Sequence, residues 1–181
     1  MWPDKIENLR GHMEDLTARA AGYGRKIDYG LRVHMIVRET ESEARAAANK
    51  LVSRLDDQFG EEIRNRALDA KTLGVALQSQ AREQADDDGF IEDNLWTGIG
   101  RARSGCGMAI VGDPDQVVAK IKNYIDMGMR SFIFSGYPHL EESQLFAKYV
   151  LPQLETLSMP IAQGRKPATT PMTPLGAGQR V

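Results

Sequence analysis

Arg32 and His34 stand two residues apart in the run YGLRVHMIV and put a guanidinium beside an imidazole. A guanidinium keeps its charge at any ordinary pH and carries five N–H donors, so its natural partner is an anion; an imidazole hydrogen-bonds or moves protons near neutrality. A second pair, Tyr137 and His139 in SGYPHLEE, joins a phenol that can donate to a peroxide or oxyanion with another imidazole. Arg103 lies in GIGRARSGCG, residues 98–107, where four glycines and two arginines suit a loop that moves or approaches a ligand closely. That stretch matches no Walker P-loop. Each group also has a structural alternative: Arg32 with His34 as a hydrogen-bonded core pair, Tyr137 as packing in a turn shaped by Gly136 and Pro138, Arg103 and Arg101 as solvated cations. Trp96 reads as core, Cys106 as an incidental thiol and Asp113 as a helix cap.

The elements that must position these groups follow from local pattern. Pro3 can open a helix, and Ile6, Leu9, Met13, Leu16 and Ala20 form one helical stripe ended by Gly22 and Gly24. Residues 29–37 are rich in branched and aromatic side chains and read as a strand, with Arg32, His34 and Ile36 on one face and Leu31, Val33 and Met35 on the other. Thr40 with Glu43 forms a capping box, behind which Ala44, Ala47, Ala48, Leu51 and Leu55 continue an amphipathic helix. Residues 57–93 are strongly charged and suggest a surface excursion with weak helical patches over 63–77. Met108 to Val111 is extended, Asp113 and Pro114 start a helix that closes at Gly128, Ser131 to Ser135 is a strand, and a last helix covers about 141–150. This order suits the α/β class with parallel strands.

Composition narrows the function classes. The 181 residues hold 23 basic and 25 acidic side chains for a net charge of -2, without the basic excess that nucleic acid or anionic membranes attract. No signal peptide or bilayer-spanning run is apparent, which leads to the expectation of a cytoplasmic protein. The single cysteine excludes an internal disulfide and a thiolate zinc cage, so redox chemistry, if present, comes from a cofactor. A proline- and threonine-rich tail, 156–181, reads as disordered.

Four segments, GLRVHMIVRETESEA at 30–44, NLWTGIGRARSGCG at 94–107, AIVGDPDQVVAKI at 109–121 and FIFSGYPHLEES at 132–143, resemble in order and spacing the luciferase-like flavin-dependent monooxygenases, in particular the alkanesulfonate branch. SGYPHLEE is the most specific of them, and the likeness covers about residues 3–155. The resemblance implies a (β/α)8 TIM barrel of which this chain is the C-terminal portion, since such barrels take about 250 residues, with 57–107 as a lid or insertion region and the barrel incomplete as a closed unit. It implies reduced FMN supplied by a separate flavin reductase, O2, and a small sulfonate oxygenated to aldehyde plus sulfite. Arg32, His34, Tyr137 and His139 become catalytic candidates, Arg32 and His34 facing the barrel interior and Tyr137 and His139 at its C-terminal mouth. Arg103 becomes a substrate-binding lid residue, and Ser135 and Gly136 become cofactor contacts. A homo-oligomer or a complementing N-terminal half would complete the site. The alternatives are a non-catalytic fragment or interaction subunit, and a related monooxygenase acting on another substrate such as a sulfone.

Overall fold

The computed structural model describes residues 1–67, 71–103 and 105–156. Helix α1 spans Ile6–Gly22 and strand β1 Tyr29–Val37, as the spacing implies, although Pro3 lies ahead of α1, whose N-cap is Lys5. Helix α2, Glu41–Val52, begins at the expected capping box, with the Thr40 hydroxyl accepting from the Glu43 amide and the Glu43 carboxylate from the Thr40 amide. The charged excursion is more regular than its composition suggests. The weak patches expected over 63–77 are two full helices, α3 (Asp57–Arg66) and α4 (Leu73–Glu83), started by side-chain caps from Asp56 and Thr72. The acidic run is a turn: the Asp86 carboxylate accepts the amides of Asp88 and Phe90 and feeds a small hairpin, β2 (Phe90–Glu92) and β3 (Leu95–Trp96). A 3-10 turn, Gly98–Arg101, leads to β4 (Ala109–Gly112). Helix α5 (Pro114–Asp126) has the expected Asp113 cap and ends where Gly128 takes φ +113°, a backbone conformation that favours glycine. Strand β5 (Met129–Ser135) and helix α6 (His139–Tyr149) complete the pattern.

The sheet is open, with the order β2-β3-β4-β1-β5. Its centre is parallel: β4 pairs with the second half of β1, and β5 pairs with the first six residues of β1, Tyr29 to His34. The hairpin extends the β4 side in antiparallel fashion. The α/β class and the unclosed sheet are therefore as expected. The strand order is not that of consecutive barrel strands, which would run β1, β4, β5. Instead β1, buried at Leu31 and from Val33 to Val37, occupies the centre, as a strand buried along most of its length should.

Both faces of β1 are covered except at Arg32. Leu31, Val33, Met35 and Val37 pack with Leu9 and Met13 of α1, Val117, Val118, Ile121 and Tyr124 of α5, and Phe146 of α6. On the opposite face Ile36 packs with Ala44 and Ala48 of α2, with Trp96 and Ile99, and with Ala109 and Val111 of β4. The expected barrel interior on the Arg32–His34–Ile36 side is thus closed by α2 at Ile36 and left open at Arg32, which is exposed. Among the described residues no helix is long and apolar enough to cross a membrane, and no three His, Cys, Asp or Glu side chains are grouped to hold a metal ion. The tail expected to be disordered lies, beyond Thr156, outside the described residues.

Candidate active site at the ends of β1 and β5

His34 is the centre of the site, 1% exposed. Its Nε2 lies 3.2 Å from the Cys106 carbonyl and its Nδ1 2.8 Å from Ser135 Oγ. A carbonyl can only accept, so Nε2 carries the proton, and Nδ1 accepts from the Ser135 hydroxyl. Parallel pairing of β1 with β5 brings this about by setting His34 opposite Ser135. Burial first, then the positive charge of Arg103, pushes the His34 pKa down to about 4. The imidazole is therefore neutral at pH 7, and it ties the 105–108 segment to both strands.

Tyr137 follows two residues after Ser135, and its ring lies 5.3 Å from the His34 ring and 4.8 Å from the His139 ring, centroid to centroid. Its phenol oxygen accepts from Arg103 Nη1 at 2.6 Å. Arg103 and Tyr137 form the polar end of a cavity of about 280 Å³ whose other walls are Leu51, Val52, Leu55, Ile99 and Ala102. A charged donor and a phenol beside apolar walls are arranged to receive an anionic head on a ligand whose body excludes water.

The glycine-rich segment that carries Arg103 is braced from below. The Gly100 amide donates to the Gly107 carbonyl at 2.8 Å, and a Cβ on Gly107 would come within 2.9 Å of Gly100 Cα, so the two backbones approach as only glycine permits. Arg64 donates to the Arg101 carbonyl and Arg82 to the Gly100 carbonyl. Arg101 itself holds Asp57 through three contacts of 2.8–3.0 Å. Buried Gln78 accepts the Gly107 amide and donates to the Pro3 carbonyl, clipping the loop to the chain start.

Four of the expected residues, His34, Ser135, Tyr137 and Arg103, come together. Arg32 does not join them: its guanidinium is exposed, and only its carbonyl takes part, accepting from Cys106 Sγ at 3.2 Å. His139 is the first residue of α6 and is exposed, touching the group only through the Tyr137 ring. Ser135 donates its hydroxyl to His34 Nδ1 and so orients the imidazole. Gly136 is packed against α6. A Cβ there would meet Glu142 Cβ at 2.4 Å and the Met35 carbonyl at 3.0 Å, so its bare backbone makes room for α6. Cys106 is buried, and burial pushes its thiol pKa up, consistent with an inert thiol. Sequence reasoning passed over Arg38 and Glu142, which form a nearly buried ion pair, although Glu142 belongs to the quoted SGYPHLEES stretch. It also missed the cavity walls at and just after the end of α2, because Leu51 and Leu55 signal only an amphipathic helix, and that helix ends at Val52, short of the expected Leu55.

The chain is 57% identical over 180 residues to a sulfoquinovose monooxygenase of Agrobacterium fabrum, a match covering 99% of this chain and 47% of that protein. It is 58% identical over 154 residues to a sulfoquinovose monooxygenase of Novosphingobium aromaticivorans, covering 85% of this chain and 42% of that protein. The chain thus spans less than half the length of these relatives. A solved structure of the coenzyme F420-dependent tetrahydromethanopterin reductase from Methanopyrus kandleri overlays with a TM-score of 0.42 at 19% identity, covering 81% of this chain and 42% of that one. The model of the luciferase-like monooxygenases matches residues 1–131, and the chain belongs to that family.

Proposed function

We propose that this chain forms part of a reduced-flavin-dependent monooxygenase that oxygenates an organosulfonate, with sulfoquinovose, a sugar sulfonate, as the substrate to test before any alkanesulfonate. The observation that carries the reading is the 57% identity across nearly the whole chain to a protein of that name. The Arg103–Tyr137 pair supports it. A phenol that accepts from a guanidinium still has its own proton to donate, and the adjacent cation makes that donation to an oxyanion stronger. Held against apolar walls, the pair stabilises negative charge on sulfonate oxygens where water does not compete.

The family's reduced flavin, FMN by resemblance, would supply the oxygen activation when bound. The cavity of about 280 Å³ lies just under the ~300–1,000 Å³ usual for small-molecule pockets, so the residues present fit a sulfonate head and at most one edge of a flavin ring. His34, neutral and hydrogen-bonded at both nitrogens, holds the loop and the strand ends in register beneath Tyr137 and does not act as a cation. Arg32 and His139 stand at the open margin, where further chain contacts would bring them to a ligand. Turnover is assigned to the assembled protein, served by a flavin reductase and completed by a complementing segment or a second copy.

The test is an anaerobic fluorescence titration of the chain with reduced FMN, with and without sulfoquinovose, followed by a sulfite-release assay with a reductase. Saturable binding strengthened by the sulfonate, and lost in Arg103→Ala, is the expected result. Binding that ignores the sulfonate, or an Arg103→Ala variant that binds as well as the parent, would refute the assignment.

A further inference from the structure

Glu142 is buried, 1% exposed, on the first turn of α6. It is met there by Arg38, the residue immediately after β1. Arg38 Nη2 donates to Glu142 Oε1 at 2.7 Å and Nη1 to Oε2 at 3.2 Å, and Nη1 also donates to the Val37 carbonyl at 2.7 Å. A bidentate guanidinium–carboxylate pair fixes direction as well as distance. The Glu142 side chain lies across Gly136, where even a methyl group would find Glu142 Cβ at 2.4 Å, Cγ at 2.7 Å and the Met35 carbonyl at 3.0 Å. The Glu142 amide donates to the Pro138 carbonyl at 3.1 Å. The residue after β1 and the residue before Tyr137 thus meet the Glu142 side chain, and the residue after Tyr137 is tied to the Glu142 backbone. A carboxylate on a helix that needed only apolar packing against β1 would be a costly choice, because removing either partner leaves a buried charge unpaired.

We propose that Arg38 and Glu142 are positioning residues for the site, a strut that sets the Gly136–Pro138 turn and so aims the Tyr137 phenol at Arg103 and into the cavity. The pair acts through the turn. The idea builds on Tyr137 as a working group of the site, but its test uses no flavin or sulfonate, so failure of the proposed reaction and failure of the strut are separable.

The test is NMR of the full chain labelled with 13C at tyrosine Cζ, with Tyr137 assigned by its loss in Tyr137→Phe. Exposed Tyr23 serves as the solvent reference, and Tyr124 and Tyr29 report on the core. In Glu142→Gln, which keeps the shape and removes the charge, the Tyr137 signal is expected to move at least halfway to the Tyr23 position while Tyr124 and Tyr29 stay in place. Arg38→Lys, which keeps the charge and loses the fork, should shift Tyr137 in the same direction by less. A Tyr137 signal unmoved in both variants would overturn the proposal. So would loss of the Tyr124 and Tyr29 signals together with Tyr137 in both, because the pair would then hold up the fold at large and not the turn.

Discussion

Acidification tests the His34 assignment most directly. The imidazole is buried, donates Nε2–H to the Cys106 carbonyl and accepts from Ser135, with Arg103 and Arg32 adding positive potential. Its pKa falls from 6.5 to about 4, a depression of about 2.5 units, which at ~1.36 kcal/mol per unit amounts to about 3 kcal/mol. The folded pKa lies below the unfolded one, so between pH 6.5 and 4 the unfolded chain binds the extra proton. The contribution is complete above pH 6.5 and is lost as pH falls toward 4. Urea unfolding followed by circular dichroism at pH 7.0, 5.5 and 4.5, on the parent and on His34→Gln, separates this from the other groups that titrate. The parent should lose about 2 kcal/mol more than the variant over that range, the rest of the loss falling below pH 4.5. Independently, the His34 ring proton followed by NMR should titrate below pH 5. Parallel unfolding curves, or a His34 midpoint between pH 6 and 7, would refute the buried neutral hub.

Two further outcomes follow from packing and burial. Gly98→Ala places a Cβ 1.9 Å from the buried Trp96 ring and should lower stability by about 1–3 kcal/mol, read as a reduced urea midpoint with an unchanged slope; a neutral substitution would mean the Trp96 side chain is free to move. Cys106 should resist a thiol reagent such as dithionitrobenzoate in the folded chain and react fully in urea, since burial both hides it and suppresses its thiolate. Rapid labelling without denaturant would contradict the closed 105–108 segment.

The local elements were legible in the sequence because each carries its own cause. The Thr40–Glu43 and Asp113–Gln116 capping boxes announce α2 and α5, and the alternation around Arg32 and His34 announces β1. The four segments that resemble luciferase-like monooxygenases also led to the family before any geometry was known. Strand order, by contrast, depends on which edges remain to be paired. Nothing in the Met129–Ser135 run states that it will lie against the first half of β1, yet that pairing alone puts Ser135 on His34 Nδ1. Exposure likewise separated residues that pattern treated alike: Arg32 and His34 share a strand face, but α2, the Cys106 segment and Tyr137 cover only the upper part of it. The Arg38–Glu142 pair spans 104 positions in sequence, and the cavity walls come from α2, the 3-10 turn and the Arg103 loop. Charge, periodicity and capping act between neighbours along the chain and can be read from one line of letters. Ion pairing, desolvation and cavity shape act between neighbours in space, and only the folded chain decides who those are.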